Sequence, residues 1–174
     1  MSQATNHGTV LELDTKAVFE DGLFHGYASL FGEVDLGRDA VSSGAFRKSL
    51  AERPANRVKM LREHDQREPI GIWTEIVEDT KGLRVSGRLI LDTVLGRETH
   101  ALMKAGALDG LSIGYRTKAA RRDKARGVRL LDEVDLHEIS VVTFAMLPSA
   151  TVTSVKSNSF SELVAAINAA RAII

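Results

Sequence analysis

The run "LRVSGRLI" (residues 83–90) alternates apolar and polar side chains almost without interruption. That period-two pattern fits one structure, a strand with one face in a core and the other in solvent. The same rhythm recurs along most of the chain. "TVLELDTKAVF" and "GLFHGYASLFG" read as a hairpin, Val10 to Phe19 and Leu23 to Phe31, with "EDG" as the turn. "RVKMLREH" and "PIGIWTEIVED" follow as strands with "DQRE" as a turn between them. "LSIGYRTKAARR" and "VRLLDEVDLHEISVVTFAM" make a second long pair around the polar tip "RRDKARG", with a bulge expected near Asp132 to Asp135. "ATVTSVK" closes the series after Pro148.

Three segments break the period. The glycine-rich, charged "EVDLGRDAVSSGAF" reads as a long surface loop, and "GAFRKSLAERP" as a short helix capped by Ser42 or Ser43 and stopped by Pro54. From Asp92, a plausible N-cap, Val94, Leu95, Glu98, Ala101, Leu102 and Ala105 form a helical stripe that ends at Gly106, a good C′ residue. Ser159 and Glu162 have the capping-box spacing before Phe160, Leu163, Val164, Ile167 and Ile174, which predicts a terminal amphipathic helix. The expected architecture is therefore mainly β with inserted helices (α+β), a barrel of about seven strands over residues 1–156 followed by a helical tail over 157–174.

Composition narrows the chemistry. Among 174 residues, 23 Lys and Arg balance 23 Asp and Glu, so no global field recruits nucleic acid or an anionic membrane. The basic tip Arg121, Arg122, Lys124 and Arg126 reads as a solvated turn. With no cysteine, disulfides, thiolate zinc sites and a cysteine nucleophile are excluded, so covalent catalysis would need oxygen or nitrogen. No run approaches a membrane span or a signal peptide, and a soluble, cytoplasmic protein is expected. "HE" at 137–138 starts like a zinc-peptidase helix motif, but Val141 stands where the second histidine belongs. No metal or cofactor is expected.

What remains is oxygen chemistry. Ser112, in "ALDGLSIGYR", would need a base to be nucleophilic at neutral pH, and His64, near a strand end in "LREHD", can supply one. A carboxylate beyond the imidazole would fix its tautomer. Glu138 lies inside an apolar strand, where alternation puts it on one face with Leu136 and Ser140, and Asp135 is the other candidate. Gly110 and Gly114 read as aids to close backbone approach around Ser112, or as the tight start of a strand.

Taken in order, "GYASLFGEVDLGRDAVSSGAF", "MLREHDQREPIGIW", "GLRVSGRLI", "LMKAGALDGLSIGY" and "LHEISVVTF" resemble the prohead protease family of tailed bacteriophages and related prophage or gene-transfer-agent clusters. The resemblance covers roughly residues 22–156. It implies a fold similar to the herpesvirus assembly protease, a β-barrel surrounded by helices. It also implies a serine endopeptidase that processes capsid and scaffold proteins, and itself, inside the assembling prohead in the bacterial host cytoplasm. The family pattern places the base on His64, the nucleophile on Ser112 and the acidic residue on Glu138. The implied partners are the major capsid protein and scaffold as substrates, with homo-oligomerisation possible and neither nucleic acid nor membrane. A polar "KSNS" stretch before the last helix is the expected self-cleavage or hinge region.

Overall fold

A computed structural model describes residues 19–153. The first expected strand up to Ala17 and Val18, the "KSNS" stretch and the terminal helix lie outside them. The chain runs β1 (Leu23–Leu30), β2 (Asp39–Val41), α1 (Arg47–Glu52), a 3-10 turn (Ala55–Arg57), β3 (Lys59–Arg62), β4 (Asp65–Glu78), β5 (Gly82–Leu89), α2 (Val94–Lys104), β6 (Gly110–Asp123), β7 (Val128–Val142) and β8 (Val152–Thr153). Eight strands form one sheet in the order β2-β7-β3-β4-β5-β1-β8, with β6 on the other edge of β7. β2 and β3 lie parallel to successive stretches of β7, whereas β4, β5, β1 and β6 pair antiparallel. The sheet curls into a half-barrel. Its far edge returns to the start of β6 through the Gly110–Thr151 bridge and the Val152 N–H···O=C Asp109 bond.

Alternation is what makes the inner face apolar. In β5, Leu83, Val85 and Leu89 are buried while Arg84 and Arg88 point outward, as the sequence pattern requires. Phe24 meets Trp73 edge to face at 5.5 Å in the centre of the core. Gly87 lets Met60 and the Trp73 ring lie directly against its backbone, where a Cβ would fall 2.4 Å from Met60 Cε. Among the described residues no helix is long and apolar enough to cross a membrane.

Several local expectations are corrected. The stretch 33–46 contains β2, a strand too short and too charged at its ends to show a period. α1 starts after Phe46 with no side-chain cap, because Ser42 instead donates to Asp132 at 2.8 Å. The N-cap of α2 is Thr93, whose Oγ1 accepts from Gly96 N–H at 2.9 Å, not Asp92. Gly106, at φ +71°, takes the expected left-handed position after that helix. The buried face of α2 is Gly96, Thr99 and Met103 rather than the expected stripe, and Val94 and Leu102 are exposed. Gly96 decides this: a Cβ there would lie 2.0 Å from Ile90 O, so this side of the helix sits closest to the sheet.

Candidate functional site

The β3–β4 turn is not at 65–68. Arg62 pairs with Asp65, which leaves Glu63 and His64 as a two-residue loop, both left-handed at φ +52° and +60°. Positive φ at both central positions is what type I′ hairpins require, and non-glycine residues adopt it at some cost. The polar residues 66–68 instead form a bulge, since the next pair after Arg62–Asp65 is Leu61–Pro69. The turn is fixed to the end of β7 by Glu63. Its N–H donates to Val141 O at 3.0 Å, and its Oε1 accepts from Thr143 N–H at 2.8 Å and Thr143 Oγ1–H at 2.7 Å.

Ser112 lies in β6 directly opposite Ser140 of β7, and Gly114 lies opposite Glu138. The sequence places Leu136 and Glu138 on one face, but the structure separates them. Leu136 pairs with Tyr115 while Glu138 pairs with Gly114, so His137 is an extra residue and the alternation changes phase there. Leu136 and Ile139 both enter the core, and Glu138 turns outward toward His64. A second irregularity falls at Asp132, within the stretch where a bulge is expected.

β6, β7 and the β3–β4 turn bring Ser112, Glu138 and His64 into one hydrogen-bonded chain. His64 Nε2 is 2.9 Å from Ser112 Oγ, and His64 Nδ1 is 2.5 Å from Glu138 Oε1. A carboxylate only accepts, so the neutral imidazole carries its proton on Nδ1 and accepts the serine hydroxyl proton at Nε2. The bond to Glu138 raises the His64 pKa above 6.5; partial burial opposes this, and the Glu138 and Glu63 charges add to it. Ser112 is 7% exposed, whereas the His64 side chain is 42% exposed and open to a reacting partner. Asp135 does not reach the imidazole. It accepts from Arg53 Nη1 at 2.8 Å and faces Lys118 and His137, and the Arg53 bond holds its carboxyl below the usual range.

Around this chain, one residue escapes sequence reasoning and another takes a different role from the one expected. Ser140, fully buried, donates to Glu138 Oε2 at 2.7 Å and so leaves Oε1 for the imidazole. Its only signal is its position two residues beyond Glu138 on the same face. Gly114 provides room: an added Cβ would lie 2.0 Å from Glu138 Oε1 and 2.6 Å from Cδ. Its role is thus neither a strand start nor reach toward Ser112, whereas Gly110 does lie close against Val142 O. His25 makes an instructive contrast. It lies 2.8 Å from Ser86 Oγ, but burial lowers its pKa and, among the described residues, no carboxylate bonds its second nitrogen. No group of acidic and histidine side chains among the described residues could hold a metal.

Hydroxyl, imidazole and carboxylate in this order, on a curled β-sheet, have the arrangement of a serine-hydrolase relay. The chain matches the Caudovirus prohead serine protease family over residues 11–164 and belongs to it. It is 33% identical over 140 residues to the prohead protease of Enterobacteria phage HK97, covering 79% of this chain and 62% of that protein. To the prohead protease of Escherichia phage T5 it is 27% identical over 135 residues, covering 76% and 62%. The chain thus spans 62% of the length of either relative. The bacteriophage T4 capsid assembly protease shares the fold with a TM-score of 0.57 at 16% identity, over 69% of this chain and 80% of that one. The KSHV protease, solved with a hexapeptide phosphonate inhibitor, shares it at 0.51 and 12% identity, over 75% and 63%. The expected herpesvirus-protease-like fold is therefore correct, with eight described strands, two of them very short.

Proposed function

We propose that this chain is a serine endopeptidase that cuts capsid and scaffold proteins, and itself, during prohead assembly. The observation that carries the reading is the single imidazole bonded on one side to Ser112 and on the other to Glu138. Ser112 Oγ attacks the scissile carbonyl carbon while His64 Nε2 takes its proton. The resulting imidazolium, stabilised by Glu138, protonates the leaving amine as the tetrahedral intermediate collapses to an acyl-enzyme. Water then repeats the sequence, with His64 again as base, and releases the acid product. No metal or cofactor enters these steps.

Family membership supports proteolysis, and a second similarity supports the substrate. A Pseudomonas phage PAJU2 protein called a capsid polyprotein is 35% identical over 107 residues, 58% of this chain and 16% of that protein. The site of action is the inside of the assembling prohead in the bacterial host. In co-expression with the cognate major capsid protein, the wild type is expected to shorten that protein, and Ser112→Ala to leave it intact while remaining folded. A serine-directed fluorophosphonate is expected to label Ser112, and His64→Ala to abolish labelling. Undiminished processing by Ser112→Ala overturns the proposal. A folded wild type that neither labels nor cleaves would instead be an assembly protein on a protease fold.

A further inference from the structure

A cavity of about 220 Å³ opens beside the proposed reacting groups, with Ser112 and His64 in its wall. Leu30, Val41 and Leu111 make its sides apolar, and Glu33, Asp35 and Asp39 supply carboxylates to the same space. Among the described residues only Asp39 is neutralised by an ion pair. Asp39 accepts from Arg129 Nε at 2.8 Å and from Nη2, and that contact holds its carboxyl below the usual range. Asp35 Oδ1 accepts the Asp39 backbone N–H at 2.8 Å, and Glu33 Oε2 accepts the Ser149 hydroxyl. Neither makes an ion pair among the described residues. Among the described residues, three carboxylates against one guanidinium leave the cavity negative, and its low-polarity walls strengthen that field.

We propose that this cavity selects a lysine or arginine side chain flanking the scissile bond. Such a side chain has an apolar stem for the walls and a cationic head for Glu33 and Asp35. A glutamate at the same position would bring like charges together, and a short apolar side chain would leave both acids without a cation. The inference rests on the reading of Ser112 and His64 as the reacting groups, because it is their shared cavity that a substrate side chain must enter.

The test uses the full chain on a library of unfolded protein fragments, with new termini identified by mass spectrometry. Lys or Arg is expected at one fixed position beside the cut. In Glu33→Gln/Asp35→Asn that enrichment is expected to fall about tenfold, as loss of two partly solvated charge contacts predicts. Asn at 35 keeps the oxygen that accepts from Asp39 N–H, and fluorophosphonate labelling of Ser112 verifies that the variant site is formed. If Ser112 labels but the library is cut without basic preference or not at all, this inference alone fails. The same holds if the preference survives in the double variant. If Ser112 does not label, the proposed function fails first.

Discussion

Gly114→Ala tests the geometry of the site with a single methyl group. The new Cβ would stand 2.0 Å from Glu138 Oε1, about 1.4 Å short of the 3.4 Å at which ordinary contact begins. Cδ at 2.6 Å and Cγ at 2.8 Å collide as well, so the whole carboxyl must move, not only its tip. The Glu138 side chain is 14% exposed and can swing outward, which breaks its 2.5 Å bond to His64 Nδ1. Misplacement by about 1 Å costs on the order of 10²-fold in rate, and loss of the orienting acid up to about 10⁴-fold. The second-order rate of fluorophosphonate labelling at Ser112 is therefore expected to fall by about 10²- to 10⁴-fold. Gly114 is in extended backbone that alanine adopts freely, so the melting temperature should stay within about 4 °C of the parent. Because the damage passes through one carboxylate, Gly114→Ala/Glu138→Gln should label no more slowly than Glu138→Gln alone. Parent-like labelling by Gly114→Ala, or fully additive losses in the double variant, would refute the reasoning.

Two further outcomes follow from the charges around His64. Labelling needs the neutral imidazole, and the Glu138 bond raises the His64 pKa. The rate is thus expected to rise with pH through a midpoint above 6.5 in the parent and through a lower one in Glu138→Gln, measured from pH 5 to 9. The same raised pKa contributes folding stability that is fully present below 6.5 and is lost as pH rises through the folded value. Denaturant titrations should accordingly show the gap between parent and Glu138→Gln shrinking with rising pH. Asp135→Asn separates the two acids the sequence leaves open: it should label Ser112 at the parent rate but lose the Arg53 pairing, lowering the melting temperature by about 2–4 °C. A more than tenfold loss of labelling would return Asp135 to the site.

Much of this arrangement is legible in the residues because period and punctuation are local properties. "LRVSGRLI" specifies β5 and its inner face without reference to anything else, and Gly106 marks the end of α2. The facing of Glu138 is not local. It depends on His137 being skipped in the β6–β7 ladder, and a single inserted residue reverses an alternation argument for everything beyond it. β2 is hidden for a related reason: three residues are too few to show a period, and their parallel partner in β7 lies about ninety positions away. The stripe on α2 misleads because it counts apolar side chains, whereas the missing side chain of Gly96 determines which side approaches the sheet. Ser112 and His64 are candidates by residue type, but only the ordered blocks of the family pattern single them out from His25 and Ser86.

The position of β7 has a consequence for timing. It carries Glu138, it pairs with the β6 stretch that holds Ser112, and its end receives the Glu63 contacts that fix His64. His64 and Glu138 are 74 positions apart in sequence. No shorter product of translation, ending before residue 142, contains the strand on which all three groups meet. The hydrogen-bonded chain of Ser112, His64 and Glu138 therefore comes into being only once the last long strand has been made and has paired.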